Sequence, residues 1–211
     1  MSRPKPIYIG NVDMTKVSFG PREDANGKTK VDVYLSADQT KNNKFNRIAF
    51  CKDALEPLTT RFALDTVRED KTNLLRRGLG ITISDEVTVK ALQELDETLI
   101  RAAVTNSKDW FKGKILTEEQ VRLRYKPVLA KLYETDETLG IKVKVKCPGS
   151  AVPTALHLRA EDGTHYRDGG RIDHLTRGAK VAPIMSASYG IWFMGGGTQF
   201  GISFQIEEMI I

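Results

Sequence analysis

Two cysteines, Cys51 and Cys147, are all that the 211 residues contain, and they lie far apart. That excludes a disulfide scaffold and a cysteine-rich zinc module, and it suits a reducing compartment. No apolar run approaches the ~20 residues that a membrane-spanning helix needs, so no membrane partner is expected. The opening Met-Ser-Arg-Pro-Lys-Pro lacks the apolar stretch of a secretory signal. Histidine is scarce: His157, His165 and His174 stand eight and nine residues apart, without the i, i+4 helical spacing of a zinc enzyme. There is no low-complexity tract and no internal repeat.

Catalytic signatures are missing as well. The chain has no G-x-x-x-x-G-K-S/T loop, no G-x-G-x-x-G after a strand and no G-x-S-x-G elbow. Gly195-Gly196-Gly197 lies between two strand-like stretches, where a hairpin tip is the expected reading. Acidic residues are plentiful but scattered, so no catalytic pair stands out. No catalytic residue, metal or cofactor is expected.

What is present is ordinary globular material with a basic bias. Hydrophobic residues make up 40% and charged residues 28%, enough for a real core. The net charge is +5, a mild pointer to a polyanionic partner. Residues 1–83 hold 15 Lys/Arg against 10 Asp/Glu, residues 84–140 hold 9 against 11, and residues 141–211 hold 8 against 6. Basic flanks therefore enclose a more acidic middle.

The hydrophobic period divides the chain in the same places. Short apolar clusters at Ile7–Ile9 and Val17–Phe19 predict one or two strands with loops. Val31–Leu35 alternates with period two, Lys41–Lys44 reads as a hairpin tip, and Arg47–Cys51 returns as a strand. Arg61–Val67 and Gly78–Ser84 alternate again. Leu79, Ile81 and Ile83 fall on one face of the latter, with Gly80, Thr82 and Ser84 on the other. Val89, Leu92, Leu95, Leu99, Ile100 and Ala103 then follow helical spacing, with Ser84 or Asp85 as cap. Thr117-Glu118-Glu119-Gln120 has the spacing of a capping box that opens a second helix. Pro127 should kink that helix or start another. Trp110 and Phe111, in the connection, should wedge the helices against a sheet.

Strands resume at Ile141–Cys147 and Thr154–Ala160. A polar, turn-rich loop follows from Glu161 to Thr176, and then strands at Ala179–Ala187, Gly190–Met194 and Phe200–Ile211. Many short strands around one helical insert predict an α+β, mainly β chain: an OB-like antiparallel Greek-key barrel with a two- to three-helix insert. A β-sandwich with a helical insert is the alternative. One OB-like domain over 1–211, with the insert at 85–137, is the expected organisation.

The clearest binding signal is Lys142, Lys144 and Lys146 alternating with Ile141, Val143 and Val145. Period two places three ammonium groups in one row opposite the core. An ordinary solvated face or a lysine-protected edge strand gives the same pattern. Arg159 shares a face with His157 on the next strand, and Arg167, Arg171, Arg177 and Lys180 follow. Proteins that bind single strands combine such basic surfaces with aromatics on which bases stack. In Gly190-Ile191-Trp192-Phe193-Met194, an inward Phe193 puts Trp192 outside. Packing of Trp192 against the insert is the competing reading. Tyr189 and Tyr166 flank the basic loop, and Tyr34 opposes Val33 and Leu35. Phe62, Phe200 and Phe204 are assigned to the core.

The ending Val181-Ala182-Pro183-Ile184…Gly190-Ile191-Trp192-Phe193…Phe200-Gly201-Ile202-Ser203-Phe204-Gln205-Ile206 resembles the last strands of viral single-stranded DNA-binding proteins. These are the replication proteins of large DNA viruses of algae and, more distantly, those of short-tailed phages. Gly178 stands where that pattern has its first turn glycine. In layout the resemblance extends over residues 30–211. It implies a non-enzymatic protein that binds single-stranded DNA, or RNA, with little sequence preference in replication, repair or recombination. Replication proteins and further copies of the chain are partners consistent with it. A viral member would work in the host nucleus or at a cytoplasmic replication site. The short-tailed-phage proteins carry an acidic C-terminal tail, whereas this sequence ends Glu207-Glu208-Met209-Ile210-Ile211, which puts tail-mediated recruitment in doubt. The alternative from another class is a structural or assembly protein of a virion or complex, with incidental charge. An enzyme acting on nucleic acid is the weakest reading.

Overall fold

The computed structural model describes residues 6–25, 28–35, 47–52, 57–61, 68–69, 75–132, 137–147, 153–159, 166–186 and 190–211. The strands are β1 (Ile7–Tyr8), β2 (Ser18–Ala25), β3 (Lys28–Tyr34), β4 (Arg47–Ala49), β5 (Leu58–Thr60), β6 (Arg68–Glu69) and β7 (Leu75–Thr82). Three helices follow: α1 (Glu86–Thr105), α2 (Ser107–Trp110) and α3 (Glu118–Arg124). After them come β8 (Ala130–Lys131), β9 (Leu139–Lys146), β10 (Ala155–Arg159), β11 (Tyr166–Asp168) and β12 (Lys180–Ser186). β13 (Ile191–Met194), β14 (Gln199–Ile202) and β15 (Gln205–Ile210) complete the chain.

β12, β5, β7, β9 and β15 pair in that order, and β15 pairs back onto β12, so five strands close a barrel. Every pairing in the ring is antiparallel except β9 with β15, which is parallel. This is the OB-like barrel that the strand pattern predicts. A second sheet, β14-β13-β3-β2, is built from an N-terminal hairpin and the hairpin between β12 and β15. Gly195, Gly196 and Gly197 all have positive φ at the tip of that second hairpin, a conformation that glycine adopts without steric cost. The helices lie between β7 and β9.

The barrel core comes from alternation. Leu79 and Ile81 of β7, Ile141, Val143 and Val145 of β9, Val181 of β12 and Ile206 of β15 are all buried. The helix stripe buries too: Leu92, Leu95, Leu99 and Ala103 are fully enclosed. Asp85 caps α1, accepting from the Thr88 backbone amide at 2.8 Å. Tyr8 Oη also donates to Asp85 Oδ2 at 2.6 Å, which ties the helix start to β1. Thr117 and Gln120 form the expected capping box on α3.

Trp110 and Phe111 wedge the insert against the second sheet. Phe19, Trp110, Phe111, Phe193, Phe200 and Tyr125 form a continuous chain of ring contacts, with centroids 5.2–6.3 Å apart. Such pairs add roughly 0.5–1.5 kcal/mol each beyond area burial.

Three expectations change. Pro127 neither kinks nor starts a helix: α3 ends at Arg124, Tyr125 is extended, and Tyr125 pairs with Phe200 as an isolated bridge. The residues before a proline are biased away from helix, and the chain leaves the helix ahead of it. Phe200–Ile211 is two strands, not one: β14 belongs to the second sheet and β15 to the barrel. Phe204 and Ile206 therefore pack in the barrel, and the partners of Ile191 and Phe193 are Ile202 and Phe200. Within the stretch read as loop, Tyr166–Asp168 forms β11, antiparallel to β10. Lys41–Lys44, Phe62 and most of Arg61–Val67 lie outside the described residues.

Candidate nucleic-acid interface

The outer surface of β7 and β9 carries a row of lysines. Lys142 and Lys144 are exposed and Lys146 is half-buried, while Ile141, Val143 and Val145 between them are buried. The single-face row therefore forms as the alternation predicts. Across the strand pair, Lys142 stands opposite Gly80, Lys144 opposite Gly78, and Lys146 opposite Arg76. Glycines put no side chain beside the first two lysines, so the floor there is backbone. The Arg61 amide donates to the Gly80 carbonyl at 2.9 Å, which brings a further basic residue to the same strip.

One more strand extends the strip. Thr82 pairs with Thr59, and Thr59 with Lys180. Lys180 is exposed, and its Nζ donates to Thr59 Oγ1 at 2.8 Å. Arg177 is exposed in the turn just before β12, where the Gly178 amide donates to the Thr60 carbonyl. Lys142, Lys144, Lys146, Lys180 and Arg177 thus belong to the β12–β5–β7–β9 side of the barrel.

The remaining basic residues differ. Arg171 sits on a short 3-10 turn and is ion-paired with Asp173 at 3.0 Å. Arg159 and Tyr166 are register partners on β10 and β11, with Arg167 next along. That pair of strands extends from the end of β15 rather than from β7 and β9. Tyr189 lies outside the described residues.

Trp192 and Tyr34 are on the second sheet. Phe193, not Trp192, contacts Trp110 and Phe111 of the insert. Trp192 is half-buried on the opposite face, between Lys30 on β3 and Gly201 on β14. The side chain of Lys30 is engaged by Glu23 and Asp32, both at 3.2 Å. Burial works against its charge, but those two carboxylates outweigh it and hold its pKa above the ordinary lysine value. Tyr34 shares this face by parity, and its hydroxyl lies over Gly20.

Local sequence pattern does not single out Gly78, Gly80 or Arg61 as part of the site. The usable signal is the glycine side of the Leu79/Ile81 alternation; its placement opposite the lysines depends on strand register, which no local pattern encodes.

Among the described residues no cluster of His, Cys, Asp and Glu could hold a metal ion. One buried acid, Asp96, accepts from Tyr125 Oη at 2.6 Å and from the Val128 amide at 3.1 Å. Burial pushes its carboxyl up to about 6, although those hydrogen bonds pull the other way. Burial first, and the neighbouring Asp96 second, push the Tyr125 phenol upward. This pair bolts α1 to the segment after α3. Its partners are structural, and nothing in it resembles a nucleophile and base.

No family model and no curated protein matches the chain. Among solved structures it is similar to the single-stranded DNA-binding protein from bacteriophage Enc34. A C-terminal truncation of that protein has a TM-score of 0.43 and 6% identity, covering 91% of this chain and 93% of that one. The protein in complex with ssDNA has a TM-score of 0.43 and 5% identity, with the same coverage. Similarity at this level does not by itself assign a ligand.

Proposed function

We propose that this protein binds single-stranded DNA, largely without reading sequence, and acts in replication, repair or recombination. The observation that carries the reading is the outer face of β7 and β9: a single-sign lysine row facing a glycine floor. In OB-type barrels the face of the second and third strands binds oligonucleotides and oligosaccharides. β7 and β9 are the second and third strands of this ring in chain order. An oligosaccharide gives no reason for a row of one sign, whereas phosphates do: each lysine that neutralises one releases condensed counterions. No catalytic role is assigned, and the viral setting implied by the sequence resemblance belongs to this proposal.

Fluorescence titration with single-stranded DNA, duplex DNA and RNA at two salt concentrations tests it. Tighter binding to single-stranded DNA, weakening steeply with salt, is expected. Equal affinity for duplex, or no binding, would overturn the reading. A second reading, assembly through protein contacts, is favoured by one observation: Ile115 and Leu123 on the insert are 82% and 81% exposed. A concentration-dependent change in mass without oligonucleotide binding would support it.

A further inference from the structure

A partly open cavity of about 170 Å³ adjoins the lysine row. The segment after α3 supplies Pro127, Val128 and Leu132, the break between β14 and β15 supplies Ile202 and Phe204, and Lys142 stands at its edge on β9. Its walls are fixed from three sides. Asp96 holds the Val128 amide at 3.1 Å. The Lys126 amide donates to the Phe200 carbonyl at 2.8 Å. β8 pairs with the start of β9, Ala130 opposite Gly140. Gly140 is required there: a Cβ would lie 2.5 Å from both the Ile81 carbonyl oxygen and Leu132 Cδ1. Leu132 therefore seats directly on β9 and closes one end.

We propose that this cavity receives one unpaired nucleobase of a bound strand, while Lys142 and Lys144 hold the neighbouring phosphates. The proposal rests on the single-strand reading above. The volume is well below the roughly 300 Å³ at which drug-sized ligand pockets begin, so it suits one flat ring system. Its lining mixes apolar side chains (Val128, Leu132, Ile202, Phe204) with polar groups that include Lys131 and Lys142. That suits a base with an apolar face and a polar edge, and the adjoining charge row suits the anionic backbone that delivers the base. A base reaches such a slot only when splayed from its neighbours, which is how single strands are read and duplexes are not. The cavity makes the site selective for single strands, whereas the lysines alone attract any polyanion.

Val128→Phe fills the slot without touching a charge. Titrated with a fluorescently labelled oligothymidylate, the variant should bind roughly tenfold more weakly, with an unchanged salt slope and melting temperature. Wild-type protein should likewise prefer that oligonucleotide to an abasic one of equal length by roughly tenfold or more. Photocrosslinking of a 5-iododeoxyuridine oligonucleotide to wild-type protein should label residues 127–132 or 202–204. If the variant loses stability, the abasic comparison and the crosslink decide. Normal affinity in a folded variant, indifference to abasic sites, or crosslinks only elsewhere would overturn the slot while leaving salt-dependent binding intact. Absence of any wild-type binding would overturn both the slot and the reading beneath it.

Discussion

The two sheets use the same alternation for opposite ends. On β9 the outward positions are Lys142, Lys144 and Lys146, the first two set against glycines on β7. On β3 the corresponding positions are Lys30, Asp32 and Tyr34, and Lys30 is clamped between Glu23 and Asp32. Behind β13 and β14, aromatic rings seal the insert to the sheet; behind β7 and β9 lies the barrel core, mostly aliphatic with Phe204 packed on Phe50. The second sheet commits the rings of one face to packing and sets acidic side chains beside Lys30 on the other. The barrel sets Lys142 and Lys144 across from glycines. Charge alone therefore does not mark a binding surface; the neighbours opposite each cation do.

The largest effect should come from the packed side. Phe200 is fully buried, and it contacts Phe111, Tyr125 and Phe193. Phe200→Ala should cost roughly 3–5 kcal/mol of stability, measured by denaturant unfolding. A loss below about 1 kcal/mol would mean that the insert and the second sheet are not joined through this seam.

Next comes the bolt between α1 and the segment after α3. Asp96 titrates near 6 in the folded protein, above an unfolded value of about 3.9. The folded state thus binds the proton more tightly. Its contribution is fully present below about pH 4 and is lost as pH rises through about 6. Asp96→Asn keeps an acceptor for Tyr125 and removes the charge. The stability of the variant relative to wild type should rise between pH 4 and pH 7, by on the order of 2–3 kcal/mol from the size of the shift. A flat difference across that range would show that the carboxylate is solvated or otherwise compensated.

Trp192 lies on the far face of the second sheet and tests whether that face shares in binding. Trp192→Ala should weaken single-strand affinity by roughly 1–3 kcal/mol if a base stacks there. It should cost less stability than Phe200→Ala, because Trp192 is only half-buried. Unchanged affinity would confine binding to the barrel and its neighbouring slot.

Local signals are legible in the sequence wherever one element carries its own evidence. The leucine stripe of α1, the Thr117–Gln120 box, the glycine tip at 195–197 and the lysine row on β9 all follow from periodicity or capping. What escapes is non-local. Phe200, Ile202, Phe204 and Ile206 keep one unbroken alternation, and all are buried. No phase slip betrays that the chain crosses from one sheet to the other between Ile202 and Gln205. The parallel pairing of β15 with β9, and the glycines facing the lysines, are set by register across long sequence separations. The slot beside Lys142 is assembled from three separate segments, so no single stretch announces it.

The smallest change in stability, and the sharpest test of the comparison, comes from the row itself. Lys142 and Lys144 are exposed and Lys146 half-buried, so replacing them with Gln should alter stability by about 0.5 kcal/mol or less per substitution. The barrel beneath keeps its apolar side chains and its backbone pairing. The slope of log K against log[salt] for single-stranded DNA should nevertheless flatten by roughly 0.7 for each phosphate left without its lysine, so by about 2 if all three engage. Lys30→Gln is the matched control. Its charge is already balanced by Glu23 and Asp32, so that slope should hardly move. Fluorescence titrations of both variants over a salt series separate the cases. A flattened slope in the triple variant with an unmoved Lys30→Gln assigns the polyanion to the barrel face. Equal slopes in all three proteins would make the lysine row a solubility device and shift the search to the β10–β11 edge, where Arg159 and Arg167 lie.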